Sequence, residues 1–152
     1  MLDSSDGWFL NDEEGSLGFH LVNQGYDVWA GNNRGNKYSR GHVKEPNLSE
    51  HNFMNFSFTE MALYDIPSFY KFILAKTSAV KINYIGHSQG TTQLFAALLD
   101  PTTKKFITEK TEKFIALAPV VYLSYGKSWI IDLLNTIKKT VVNIVHYIGI
   151  YD

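Results

Sequence analysis

Val80-Lys81-Ile82-Asn83-Tyr84-Ile85-Gly86-His87-Ser88-Gln89-Gly90-Thr91-Thr92-Gln93-Leu94-Phe95-Ala96-Ala97-Leu98-Leu99 is the stretch that decides the fold. Its opening residues put apolar side chains at alternate positions, Val80, Ile82 and Tyr84, which is the period of a strand. Thr91 to Leu99 reads as a helix, stopped where Asp100 precedes Pro101. Between them lies Gly86-His87-Ser88-Gln89-Gly90, a G-x-S-x-G pentapeptide. A serine hydroxyl is a poor nucleophile unless something exposes it and takes its proton. A sharp strand-to-helix turn provides the exposure. The flanking Gly86 and Gly90 are expected to allow the tight backbone approach. Ser88 becomes the candidate nucleophile, and the backbone N–H of Gln89 the candidate donor to a developing oxyanion. With Gly and Ser each at roughly 7% of residues, the pentapeptide alone arises by chance in about one chain in twenty of this length. The flanking strand and helix therefore carry the argument.

Outward from this turn, the order of elements predicts an α/β architecture. Ser16 to Gln24 reads as a helix stopped by Gly25, and Tyr26 to Ala30 as a strand. Gly31 to Asn47 is the longest irregular piece, rich in Gly, Asn and Arg. Phe58 to Thr77 carries Ala62, Ile66, Phe69 and Ile73 on one helical face, with an interruption near Pro67. Lys113 to Ala118 is a short strand ended by Pro119. Strands separated by helices predict a mostly parallel sheet with helices on both faces. From Gly126 onward, Ile130, Leu133, Leu134, Ile137, Val141, Ile144, Val145 and Ile148 follow the 3.6-residue period of a helix. That stripe is either a core-facing helix or a lid presenting an apolar face to lipid, and the β-branched run at its end could instead be a strand. The expected division is 1–125 for the core and 126–152 for the beginning of a lid.

Composition narrows the function classes. A chain of 152 residues fits one domain, and 45% hydrophobic with 14% aromatic residues suffices for a core. The net charge is −1 and the cations are scattered, so no nucleic-acid face is expected; Lys104, Lys105, Lys110 and Lys113 read as a solvated loop. The absence of cysteine excludes disulfides and thiolate metal sites within these residues. Met1 to Asp6 has neither the basic start nor the apolar stretch of a signal peptide. Val141 to Tyr151, interrupted by Asn143 and His146, is too short to span a bilayer. Two N-x-S sequons, at Asn47 and Asn55, matter only in the secretory pathway. With no H-x-x-x-H, no Ca²⁺-type acidic loop and no G-x-G-x-x-G, neither a metal nor a nucleotide cofactor is expected.

Several further stretches take the reading beyond a pentapeptide. They are Leu2-Asp3-Ser4-Ser5-Asp6-Gly7-Trp8, Gly25-Tyr26-Asp27-Val28-Trp29 and Gly31-Asn32-Asn33-Arg34-Gly35-Asn36-Lys37-Tyr38-Ser39-Arg40. Phe56 to Ala62, Tyr64-Asp65-Ile66-Pro67, Gly86 to Thr92 and Ala116 to Val120 follow in the same order. Together they resemble the acid lipases, the gastric and lysosomal lipase group of the α/β-hydrolases. The resemblance implies a partial α/β-hydrolase fold with its nucleophile elbow after a central strand. It also implies a carboxylic-ester hydrolase acting on neutral lipid esters at a lipid–water interface, in a secreted or lysosomal setting; the alternatives are a non-catalytic hydrolase-like scaffold that binds lipid or a partner, and an esterase for soluble short-chain esters. Ser88 takes the nucleophile's place and Gln89 that of one oxyanion-hole donor. Met1 falls on the position of the second donor, without the His-Gly pair that precedes it in the family.

The departures are as informative. Members of this fold place the acid and the histidine after the nucleophile, in the order Ser, Asp, His. Downstream of Ser88 there is one histidine, His146, with Asp100, Asp132 and Asp152. His20, His42 and His51 precede the serine, and His87 abuts it with a side chain expected to point away. None of the five suits the base, so the acid and the histidine are expected outside this chain. Asp27 and Asp65 both precede Ser88, and Asp65 is expected to make a local hydrogen bond. Arg34 is expected to bridge loop carbonyls with its five donors rather than to bind a carboxylate or phosphate. Trp8, Trp29 and Trp129 could line an acyl pocket, although Trp29 on a strand reads as core.

Overall fold

The computed structural model describes residues 4–122. The molecule divides into two compact units, Met1–Val120 and Val121–Asp152. Of the second, only Val121 and Tyr122 are described, and both are exposed. The expected lid segment, with Trp129 and His146, lies outside the described residues, as does Met1.

After a short 3-10 turn, Ser5–Trp8, helix α1 spans Leu17–Asn23. The Ser16 hydroxyl accepts from the Phe19 amide at its start, and Gly25 follows its end at φ 86°. Tyr26 to Ala30, expected as a strand, forms none, since no described segment pairs with it. Trp29 is accordingly not core: it is 42% exposed, edge-to-face with Phe72 at 5.8 Å. The irregular Gly31 to Asn47 stretch leads to α2, Glu50–Phe53, and α3, Phe58–Glu60. A capping box opens α3, in which Ser57 N–H and Oγ–H donate to Glu60 Oε2, each at 2.7 Å.

The long helix expected over Phe58 to Thr77 is broken just ahead of Pro67. A π turn, Met61–Asp65, separates α3 from α4, Ile66–Thr77. Pro67 lacks the N–H that would bond the carbonyl four residues back, and its ring crowds that carbonyl. The wider turn accommodates both, and proline then sits in the first turn of α4, where a missing N–H costs nothing.

Strand β1, Ile82–His87, is followed by α5, Gln89–Leu99, then α6, Lys104–Lys110, and β2, Thr111–Leu117. The strands pair in parallel, from Ile82 opposite Thr111 to His87 opposite Leu117. Three of the four lysines expected in a loop therefore lie on α6, anchored by buried Ile107 and half-buried Phe106. The core joins Ala62, Ile66 and Tyr70 to Leu94 and Ala97 of α5 and Ile107 of α6. Ile82, Tyr84 and Phe114 pack against it from the strands. Side chains alternate across a sheet. Ile115 and Leu117, on the opposite face from Phe114, stay 45% and 36% exposed. The expected cover on both faces is thus seen on one face among the described residues. None of the described helices is long and apolar enough to cross a membrane.

Candidate active site

Ser88 is the single residue between β1 and α5, at φ 50° and ψ −115°. A non-glycine residue in this region costs about 1–3 kcal/mol and persists only where its surroundings over-determine it. Three hydrogen bonds do so. Ser88 N–H donates to Leu117 O at 2.9 Å, across the register in which His87 faces Leu117. Ser88 O accepts from Thr91 N–H at 2.9 Å and from Thr91 Oγ1–H at 2.6 Å. The amide of Gln89, the first residue of α5, belongs to the helix start, where N–H groups have no intrahelical acceptor.

The two glycines of the pentapeptide differ in role. A Cβ on Gly86 would meet Gly90 C at 2.8 Å and Gly90 O at 2.9 Å, both backbone atoms that cannot give way. A Cβ on Gly90 would meet nothing nearer than Tyr84 Oη at 3.8 Å. The close approach expected of both glycines is therefore required at Gly86 alone. Tyr84 Oη–H donates to Gly90 O at 3.0 Å, tying the first turn of α5 to β1. Burial raises the Tyr84 phenol well above its ordinary pKa, as does its stacked neighbour Tyr70, so Tyr84 is a neutral donor.

Outside this turn, the loop after Gly31 grips three other pieces in succession. Asn32 and Ser5 exchange hydrogen bonds, each at 2.9 Å. Asn33 Nδ2–H donates to Gln93 Oε1 at 3.0 Å, and buried Gln93 donates onward to Met61 Sδ at 3.2 Å. Asn33 Oδ1 is buried with no partner among the described residues. Arg34 departs from expectation in its partner. Its backbone N–H and its Nε both donate to Asp65, at 3.0 and 2.8 Å, and Nη2 lies 2.7 Å from the same carboxylate. Asp65 is correspondingly held by a residue 31 positions away rather than locally. The Arg34 guanidinium also lies over the rings of Phe56 and Tyr64.

No described histidine bonds Ser88. His87 is exposed at the end of β1, His20 lies on α1, His51 on α2, and His42 Nδ1 accepts from the Glu45 amide at 3.0 Å. Asp100 is a local turn carboxylate, held below its ordinary pKa chiefly by the Thr102 hydroxyl. Among the described residues no group of three or more His, Asp or Glu could hold a metal ion. A cavity of about 160 Å³, lined by Arg40, His42, Glu45 and Phe53 among others, contains none of the elbow residues.

A family profile described as the alpha/beta hydrolase fold matches residues 2–140. The chain belongs to the alpha/beta hydrolase fold family. Within it, the acid-lipase resemblance is borne out by named relatives. The chain is 46% identical over 129 residues to gastric triacylglycerol lipase of Bos taurus, covering 84% of this chain and 31% of that protein. It is 41% identical over 145 residues to lipase member K of Homo sapiens, covering 95% of this chain and 35% of the relative. To the putative lysosomal acid lipase/cholesteryl ester hydrolase of Crotalus adamanteus it is 38% identical over 133 residues, 88% of this chain and 32% of the other. The chain thus spans about a third of the length of these relatives. In this member of the alpha/beta hydrolase fold family the polar run Thr91-Thr92-Gln93 and the side chain of Asn33 received no role from the sequence. The available signal was three consecutive polar residues at the head of an apolar helix.

Proposed function

We propose that this chain is the nucleophile-bearing part of a carboxylic-ester hydrolase of neutral lipid esters, of the triacylglycerol or steryl ester class. The observation that carries the reading is Ser88 at φ 50° between a parallel strand and the helix that follows it. That geometry suits a serine held out at the C-terminal end of a strand. The names of the relatives, gastric triacylglycerol lipase and lysosomal acid lipase/cholesteryl ester hydrolase, support the substrate class and a secreted or lysosomal setting. Both sequon asparagines, Asn47 and Asn55, are exposed, which fits that setting.

In the proposed reaction Ser88 Oγ bonds to the acyl carbon while its proton passes to a histidine supplied from beyond these residues. The oxyanion is met by the Gln89 N–H and by the backbone at the position of Met1. The tetrahedral intermediate expels the alcohol, which takes the proton from the histidine, and water then releases the acid by the same steps. The segment 126–152 is the proposed lid, whose apolar stripe would meet the lipid surface.

The test is hydrolysis of emulsified triacylglycerol by the full-length protein and its Ser88→Ala variant. Loss of turnover by orders of magnitude in the variant is expected, and unchanged turnover sinks the assignment. The 152-residue chain expressed alone is expected to turn over little, for want of a base; turnover that disappears in S88A would place the base within it. Polar substitutions at Leu134, Ile137 and Val141 should depress activity on emulsified lipid while sparing a soluble short ester. Equal loss on both makes that stripe core.

A further inference from the structure

The hydroxyl of Thr91 joins two backbone segments that no secondary structure joins. Thr91 is fully buried, at 0% exposure, on the first turn of α5. Its Oγ1–H donates to Ser88 O at 2.6 Å, and the same oxygen accepts from Val120 N–H at 3.0 Å. Val120 lies just past the end of β2, where Ala118 turns the chain at φ 47° before Pro119. Its carbonyl accepts in turn from Thr92 Oγ1–H at 2.7 Å. Two adjacent hydroxyls thus hold the exit of β2, and only one of them also holds the serine.

A helix-start threonine that bonds back to a preceding carbonyl is a common local device. Here the same oxygen also accepts from an amide 29 residues away, so its proton and one of its two lone pairs are committed. The Ser88 carbonyl fixes the orientation of the peptide joining Ser88 to Gln89. That peptide carries the Gln89 N–H, and its tilt is coupled to the ψ of Ser88. We propose that Thr91 is a positioning residue for Ser88: its hydroxyl locks the Ser88–Gln89 peptide, and hence the serine Oγ and the Gln89 amide, against the segment that leaves β2. This rests on the reading of Ser88 as the nucleophile. Misplacement of a reacting group by about 1 Å costs as much as 10²-fold in rate. Thr92, which touches only Val120, lacks that lever.

The experiment is inactivation of the full-length protein by an alkyl fluorophosphonate, in which the serine oxygen bonds to phosphorus, its proton passes to the histidine base and fluoride leaves. The rate constant kinact and the binding constant KI are read separately. Thr91→Val, which keeps the shape and removes the hydroxyl, is expected to lower kinact about tenfold or more with KI unchanged. Thr91→Ser should restore it, and Thr92→Val should leave it near wild type. Thr91→Ala repeats the loss without forcing a methyl group against the two backbone partners, should T91V not fold. Equal kinact in wild type, T91V and T91A overturns the proposal, as does a loss in T92V matching that in T91V. A wild-type protein not labelled at Ser88 overturns the nucleophile reading itself, a distinct result from either.

Discussion

At the scale of the residue, the pentapeptide divides into positions fixed by sterics and positions fixed by chemistry. Gly86→Ala drives a methyl group into the Gly90 backbone at 2.8 Å, so the strand and helix must separate. Overpacking of this kind costs about 1–3 kcal/mol, and urea denaturation should show a fall in midpoint. Gly90→Ala has room, at 3.8 Å from Tyr84 Oη, and gains helix propensity. It should be neutral or stabilise by up to about 1 kcal/mol in the same experiment. Equal costs at the two glycines would contradict the geometry. Arg34 offers a second residue-scale test. Asp65→Asn keeps an acceptor for the Arg34 amide but removes the charge from a carboxylate with a relative side-chain exposure of only 10%. The guanidinium partner is 30% exposed and partly hydrated, so the loss should be about 1–3 kcal/mol rather than that of a fully buried pair.

Elements were legible where a local pattern set them and illegible where distant partners did. Helix α1, with Ser16 before it and Gly25 after it, was readable from both ends because caps are local. Strand β1 and helix α5 were readable because their periods differ on either side of Ser88. Tyr26 to Ala30 has a strand's composition, but pairing is a property of two segments and no described neighbour completes it. Composition also misled at Lys104, Lys105 and Lys110, where the two apolar residues Phe106 and Ile107 suffice to dock a helix. In the candidate site, Ser88 was legible as a motif; its ties to Leu117, Thr91 and, through Thr91, Val120 were not, because spacing in sequence does not encode them. The Phe58 to Thr77 stretch lies between these cases. Pro67 announced a break, but the form of the break, a π turn, depends on how Met61 and Asp65 are held by Gln93 and Arg34. The capping box at its head is testable by itself. Ser57→Ala should cost about 1 kcal/mol in thermal unfolding, since it removes both the Thr59 acceptor and the Glu60 donor.

Across the whole molecule, the aromatic core makes folding sensitive to alkali. Burial raises the Tyr70 phenol to about 12 from an ordinary 10, partly offset by its hydrogen bond with Thr111 Oγ1. Between those values the folded chain keeps a proton that the unfolded chain releases. Its contribution to stability is therefore complete below pH 10 and is lost as pH rises toward 12, by about 1.4 kcal/mol per pH unit. Tyrosinate absorbance and circular dichroism should change together in that window. Tyr70→Phe should remove its share of the slope and leave that of buried Tyr84, at a cost near neutrality of about 1 kcal/mol for the lost hydrogen bond. The apolar sheet face makes a separate prediction. Ile115→Lys and Leu117→Lys, at positions 45% and 36% exposed, should reduce binding of a hydrophobic dye and slow aggregation of the isolated chain with little loss of midpoint. A large fall in midpoint would show that this face is covered in solution.

The hydrogen bond from Ser88 to Leu117 also has a meaning in time. A ribosome adding about 5–20 residues per second needs roughly 1.5–6 s to travel from one to the other. Until Leu117 has emerged, the serine has no acceptor for its amide, and only the two bonds from Thr91 hold its carbonyl. Thr91 waits as long for Val120, which likewise follows it by 29 residues. The strained serine is therefore assembled late on the nascent chain, after the helix that follows it has already been made. Biosynthesis itself delays the completion of this strained turn until the second strand is out.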